Sequence, residues 1–420
     1  MFAGSVTVLD LSTGEAEERR LEKALVESRA GGAALNLSLF EEFGGSDPII
    51  IGCGLLTGSM VPGSSLGVAT ARSPMTGKVM HGPLVGHLGT ELKMAGFPFL
   101  VLHGRCPRPS YIWMHDEMLD LLPADGLWGK DTWDTVDLIR EEQGDERVQV
   151  LSIGPAGEGG GSGATAIVNY WSEGDKIGLG GRLGGMNLKA IAARGMGELR
   201  VADPDRTWDV CMRMTEDARW RISGARGLVS VLPGIEFGDL TSIVHRDVAC
   251  SGCPWPCRTY VKYHKPRDVV GAGVREPGTL LADAPGYNAL LASGFSAIDA
   301  ARLMERCGRL GLEPIAASQG LEGADLGTAM ERLMELSQGR FEVPSLARVD
   351  GAVCQQTFSA FAPNGGEPEE IALAYILGLC PRYVARMGLD LDLHLEAVEA
   401  MSGIRFEQHE LLGLANSIMR

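Results

Sequence analysis

The sequence predicts an α+β protein, with a β-sheet-rich first half followed by a mainly α-helical region. Two observations carry this reading. Up to about residue 200, short β-branched and apolar runs alternate with Gly, Pro and Asp turns, as in "GSVTVLDLSTGE", "DPIIIGCGLLTG", "FPFLVLHGR" and "RVQVLSIGPAG". Beyond "GELRVADPDRTWD" the apolar residues recur at helical spacing instead, as in "AIDAARLMERCGRLG" and "LGTAMERLMELSQGR". The change falls near residue 203 and divides the chain into 1–203 and 204–420.

In the first part, further strands are expected in "SLGVATARSPMTG", "SYIWMHDE" and "GATAIVNYW", with helices from Arg19 to Arg29 and from Trp133 to Glu142 against the sheet. In the second part, helices in "TWDVCMRMTEDARWRISGARG" and "EEIALAYILGLC" are interrupted by a loop at 245–275 and by the loop "APNGGEPEE". The Gly-rich "GPAGEGGGSGA" follows a strand-like run. It contains neither a GxGxxG opening a helix nor a GK[ST], so it reads as a turn rather than a nucleotide loop.

A chain of 420 residues is long for one domain and implies two or three packed units. Its 54 acidic and 38 basic side chains give a net charge of -16, which repels nucleic acid and anionic membrane surfaces. No window of about 20 residues is free of charge and glycine, and "MFAGSVTVLDLSTGE" lacks the pattern of a signal peptide. The expectation is a cytoplasmic protein without membrane insertion.

Nine cysteines in such a chain are read as thiols or metal ligands, because the cytosol keeps them reduced. Cys53, Cys106, Cys211, Cys307 and Cys354 are scattered and suit core packing. Cys250, Cys253 and Cys257 are crowded into "ACSGCPWPCRTY", where Pro254 and Pro256 keep the segment from becoming helix. The "PWP" between them offers a rigid apolar contact for a partner.

An iron-sulfur cubane wants four thiolates, and Cys380 in "ILGLCPRY", about 120 residues later, is the remote candidate. The CxxCxxxC order is the reverse of the CxxxCxxC of radical-SAM loops. A bacterial ferredoxin run would need Cys where Asp247 stands and Pro where Arg258 stands. A zinc site formed from these cysteines with His245 or His264 is the competing metal reading, and buried structural cysteines are the plain one.

Together with these cysteines, "GGAALNLSLFEEFG", "LLTGSMVPGSSLGVATARSPMTG", "GTELKMAGFPFLVLHG", "IGPAGEGG" and "GLGGRLGGMNLKAIAARG" resemble, in order, the landmarks of the tungsten-containing aldehyde:ferredoxin oxidoreductase family. The resemblance implies a β-sheet-rich N-terminal domain of that family's type, which is the base for a tungsten or molybdenum bis-pterin, followed by a shortened helical region. It also implies a 4Fe-4S cluster on Cys250, Cys253, Cys257 and Cys380, and electron flow to a ferredoxin-like carrier. The partners it implies are other subunits of a redox complex, such as a full-length homologue, or a second copy in a homodimer.

The departures fall where the family grips its pterins. Leu66 stands where an Arg follows "PGSS", and Pro83 and Val85 stand in the loop before "GTELK". Leu179 takes an Arg place in the Gly-rich segment, with Arg182 as the candidate substitute. Gly308 and Tyr375 replace the leading aspartates of two pterin-holding motifs, and Glu313 replaces a closing one. The stretch from Glu313 to Cys380 is too short for the family's usual third domain. Its active-site His segment is therefore expected to be missing, and His81, His87, His394 and His409 read as structural or solvated.

After the cysteine loop, Glu276 is the one candidate catalytic carboxylate, beside Arg275. Three functions follow. The first is an iron-sulfur subunit that transfers electrons or acts as a scaffold, its pterin site degenerate. The alternative is an active bis-pterin oxidoreductase converting aldehydes to carboxylic acids. The third is a structural zinc-binding protein.

Overall fold

The computed structural model describes residues 4–170, 175–231, 238–263, 278–343 and 367–419. Glu276, Arg275, His264, Cys354 and the "APNGG" loop lie outside the described residues.

The first half builds two sheets. One has the order β2-β1-β6-β3-β4-β5, from β1 (Ser5–Asp10), β2 (Glu15–Arg20), β3 (Ile49–Cys53), β4 (Gly67–Arg72), β5 (Val79–Leu84) and β6 (Phe99–His103). The other has the order β10-β9-β11-β7-β8, from β7 (Ser110–His115), β8 (Met118–Pro123), β9 (Gln149–Ile153), β10 (Ala166–Val168) and β11 (Leu188–Arg194). All pairings are antiparallel except β1 with β6 and β11 with β7.

The strand period of two sorts side chains into layers. Leu9, Ile49, Ile51, Leu100 and Leu102 of the first sheet meet Ile112, Met114, Leu151, Ile191 and Ala193 of the second in one core. The alternate residues Val8, Ile50, Phe99 and Val101 pack on α2 (Gly32–Phe43), which follows the short α1 (Lys23–Arg29). On the far face, Tyr111, Val150, Ala190 and Ala192 cover Val136 and Ile139 of α4 (Thr132–Gln143). Between these lie α3 (Leu88–Met94), α5 (Pro155–Glu158) and α6 (Leu179–Gly185).

The Arg19–Arg29 helix begins late. Residues 15–20, "EAEERR", instead pair with β1 across the Thr13–Gly14 turn, as a charged edge strand whose exposed side chains suit a sheet margin. The Trp133–Glu142 helix is present as α4, capped by Asp131.

Beyond β11 come α7 (Pro204–Ile222), α8 (Ala284–Ala292), α9 (Ala297–Leu310), α10 (Pro314–Ser318), α11 (Leu326–Gln338), α12 (Pro368–Leu377), α13 (Pro381–Met387), α14 (Leu391–Ser402) and α15 (Gln408–Ile418). The segment expected as a loop at 245–275 contributes β12 (Val244–Val248) and β13 (Arg258–Val261), which with β14 (Thr279–Leu281) beyond it form a small antiparallel sheet. No helix among the described residues is long and apolar enough to cross a membrane.

The helical region closes onto the sheets through α12. Its residues Ile371 to Leu377 are all buried, as the unbroken apolar run "IALAYIL" requires, and they share a core with α2, α7, α14 and α15. At its end, Leu377 O accepts from Leu56 N (3.0 Å), Gly378 O accepts from Leu66 N (3.2 Å), and Cys380 N donates to Gly63 O (2.8 Å). Segment 54–66 of the first domain is thereby clamped to the turn that carries Cys380.

Two glycines permit this approach. Gly378 takes φ 85° as the left-handed cap of α12, and a Cβ there would meet Thr57 Oγ1 at 2.0 Å. A Cβ on Gly54 would meet the Leu377 carbonyl carbon at 2.1 Å, backbone that has no room to yield. Gly54→Ala is expected to cost about 3 kcal/mol or more in urea unfolding. Gly44→Ala, where a Cβ meets nothing within 4 Å, should change stability by less than about 1 kcal/mol.

Candidate functional site

The β12–β13 hairpin presents residues 249–257, and its base is fixed by hydrogen bonds. Thr259 Oγ1 donates to Asp247 Oδ1 (3.1 Å) and accepts from Leu228 N (2.8 Å). Gly227 N donates to Pro256 O (2.7 Å). Trp255 is 1% exposed and its Nε1 donates to Ser230 Oγ (3.1 Å). This corrects the reading of "PWP" as an outward contact, since the indole is the anchor of the loop. Ser251 and Gly252 form the exposed tip.

Cys253 N donates to Cys250 O (3.2 Å), closing a turn through Gly252 at φ 68°, and Cys257 leads into β13. Cys380 reaches the same place from the end of α12, as the residue that caps α13 before Pro381. Cys253 and Cys380 stand within electrostatic reach of each other and of Cys250 and Cys257. Burial pushes the Cys380 thiol up to about 12, and the Cys250 and Cys257 thiols add to this. Burial likewise raises Cys253, reinforced by Cys380, Cys250 and Cys257. Among the described residues no group of three His, Cys, Asp or Glu could hold a metal ion at the present spacing.

Two buried guanidiniums meet this group, and the spacing argument does not reveal them. Arg258 Nη2 lies 2.8 Å from Cys250 Sγ, and Arg382 Nη1 lies 3.8 Å from Cys257 Sγ. The available signal is positional: a basic residue directly follows Cys257, and another stands two places after Cys380. A cleft of about 630 Å³ opens beside the loop, lined by Ser59, Ser64, Ser65, His87, Thr90 and Ser251 among others.

The other sequence candidates within the described residues make contacts inside the fold. Arg182 pairs with Asp47, donating to its carboxylate (2.8 Å) and its carbonyl (2.6 Å). Glu313 caps α10 by accepting from Ala316 N (2.7 Å) and binds Lys176 (2.8 Å). Leu66 and Val85 are closed in the core around α12, as is Tyr375, while Leu179 lies between the two sheets. The Gly308 carbonyl accepts from Thr132 Oγ1 (3.1 Å). Asp175 accepts from the amides of Ala166, Ile177, Leu179 and Gly180, so the backbone donors at the start of α6 are already used.

His81, His87, His394, His409 and the described isolated cysteines have these surroundings. His81 is buried, its Nδ1 2.8 Å from Thr70 Oγ1, and burial lowers it to about 4. His394 Nδ1 faces Asp390 O (2.7 Å), His87 lies 3.3 Å from Glu91, and His409 is exposed. Cys53, Cys106, Cys211 and Cys307 are all buried.

Lys176 is held between Asp283 (2.6 Å) and Glu313 (2.8 Å) in the interior, joining the first domain to the helical region. Burial pushes the lysine down, but the two carboxylates more than reverse this and leave it raised. Burial pushes Asp283 up, and the adjacent ammonium outweighs that and leaves it lowered. The contribution of a lowered carboxyl is complete above its unfolded value and is lost as pH falls through its folded one. That of a raised lysine is lost only on strong alkalinisation. The network should therefore hold across the neutral range and fail below about pH 4.

Lys176→Met, which strands two buried carboxylates, is expected to cost about 3–5 kcal/mol near pH 7 in equilibrium denaturation. That penalty should shrink near about pH 5 as the unpaired carboxyls take up protons.

Residues 6–195 match the family described as aldehyde ferredoxin oxidoreductase, N-terminal domain. A tungsten-containing aldehyde ferredoxin oxidoreductase of Pyrococcus horikoshii is 30% identical over 226 residues, covering 52% of this chain and 37% of that protein. The WOR-like subunit of an aliphatic sulfonate oxidoreductase of Pyrococcus furiosus is 25% identical over 257 residues, covering 54% of this chain and 41% of that protein. The matched segments thus span well under half of the curated relatives' length. In fold, the chain is similar to a chain of the active site complex BamBC of benzoyl coenzyme A reductase, with a TM-score of 0.79 and 16% identity, covering 99% of this chain and 88% of that one. The chain has an α+β architecture that shares this fold, its residues 6–195 match an aldehyde ferredoxin oxidoreductase N-terminal domain, and about half of it is similar in sequence to part of a tungsten-containing aldehyde ferredoxin oxidoreductase.

Proposed function

We propose that this chain is the iron-sulfur subunit of a redox complex, in which Cys250, Cys253, Cys257 and Cys380 hold a 4Fe-4S cluster that relays electrons between partner proteins. One observation carries the reading. Two segments about 120 residues apart bring four thiols and two guanidiniums to one place, while the positions of the family's pterin contacts are spent on packing.

The donor set fits such a cluster. One zinc draws its thiolates close around a single ion, with Zn–S near 2.3 Å. A cubane binds four cysteines at four separate irons, and the chain offers four thiols from two segments. When bound, the cluster supplies reversible one-electron storage. The chain's own residues would hold it: Trp255 fixes the loop, Cys380 closes the site from the far side, and the exposed Ser251–Gly252 tip leaves an electron carrier a short approach.

A bis-pterin does not fit. Phosphates need cationic forks or free amides, whereas Leu66, Val85 and Leu179 are core side chains, Arg182 is committed to Asp47, and Asp175 fills the amides before α6. Partner subunits are supported by two similar proteins, a WOR-like subunit of an aliphatic sulfonate oxidoreductase and a chain of the active site complex BamBC. The alternative, an active tungsten or molybdenum bis-pterin enzyme oxidising aldehydes, is favoured by the family match of residues 6–195.

Anaerobically purified protein should contain about four irons per chain and give a reduced-cluster paramagnetic signal, with neither tungsten nor pterin. Stoichiometric tungsten with two pterins would establish the alternative, and zinc without iron would sink both. Cys380→Ser should abolish or convert the signal; an unchanged cubane in that variant would mean that another residue is the fourth ligand.

A further inference from the structure

We infer that Arg258 and Arg382 are positioning residues that set the reduction potential of this site, with Asp283 as the opposing buried charge. The inference rests on the reading that the four cysteines hold a cluster.

Both guanidiniums are buried, Arg258 at 7% and Arg382 at 3% exposure, and each directs a nitrogen at a different thiol, Cys250 at 2.8 Å and Cys257 at 3.8 Å. Arg382 also donates through Nη2 to Ala282 O (2.9 Å), which fixes its plane. The next residue, Asp283, is 5% exposed, accepts from Gly286 N (3.1 Å) to cap α8, and is bound to Lys176 at 2.6 Å. A line of alternating charge therefore runs from the Cys257 sulfur through Arg382, Asp283 and Lys176 to Glu313.

A cubane with four thiolates carries net charge -2 when oxidised and -3 when reduced. One electron enters from a low-potential carrier of the ferredoxin class; no bond forms or breaks and no proton is taken up. The reduced form is the more negative, so a buried cation touching a sulfur stabilises it preferentially, and in a low-dielectric interior the preference is large. Hydrogen bonds to the sulfurs act in the same direction. Asp283 works against them, and its pairing with Lys176 limits how far.

The test is a redox titration of the anaerobically purified full chain, followed through the paramagnetic signal, with iron content measured on every sample. Arg258→Gln and Arg382→Gln should each retain iron and make reduction about tenfold harder, a midpoint about 59 mV lower for one electron. Asp283→Asn should shift it the opposite way. Arg258→Lys and Arg382→Lys, which keep the charge, should stay close to wild type, as should Arg405→Gln, whose side chain is 76% exposed.

Opposite signs for the arginine and aspartate variants are the signature that a merely structural role would not produce. Unchanged midpoints in the iron-loaded glutamine variants, or shifts of one sign throughout, would overturn the inference while leaving the cluster reading standing. A wild-type chain that binds no iron would overturn both. If Arg382→Gln loses its iron, Arg258→Gln and Asp283→Asn decide the matter by the sign of their shifts.

Discussion

The site depends on a clamp made of main chain. Segment 54–66 and the turn after α12 exchange backbone hydrogen bonds through Leu56, Gly63 and Leu66 on one side and Leu377, Gly378 and Cys380 on the other. Backbone groups buried between two domains must find partners, so this exchange fixes register as well as distance. Gly54 and Gly378 make the approach possible, because a side chain at either would strike main chain or the Thr57 hydroxyl. Cys380 is therefore placed by the first domain, although it belongs to the helical one.

The clamp and the burial of Leu66 and Tyr375 have a common cause. Leu66 gives its amide to Gly378 O and its side chain to the core around α12, and Tyr375 lies in the same core. Apolar residues at these points let α12 pack directly onto the sheet domain. Burying the helix on all sides supplies the hydrophobic free energy that docks the domains. In the same way Asp175 occupies the amides before α6, and Arg182 is drawn to Asp47. These contacts contribute to the cohesion of the fold.

Charge is distributed by the same economy of burial. An isolated buried ion is costly, so the interior carries its ions as a connected set: Lys176 between two carboxylates, Arg382 beside one of them and against a sulfur. The set joins a loop of the first domain, the caps of α8 and α10, and the thiol group. Domain cohesion and the electrostatics of the sulfurs are consequently coupled, and neither can be altered at Asp283 without touching the other.

From the sequence alone, the α+β class, the change of texture near residue 203, and most strands and helices could be read, because each depends on local periodicity and turn chemistry. So could the four cysteines, whose spacing and flanking prolines are written in order along the chain. Local periodicity failed where a neighbour decided: "EAEERR" became an edge strand because β1 was there to pair with it, and a sheet formed inside the supposed cysteine loop because β13 lies between two partners. Only the tertiary structure decided that Trp255 is an anchor and not a contact surface, that Arg182 and Glu313 hold the fold, and that Arg258 and Arg382 reach the thiols. Those facts turn on which buried groups must satisfy one another across domains, and a linear sequence does not state which groups will meet.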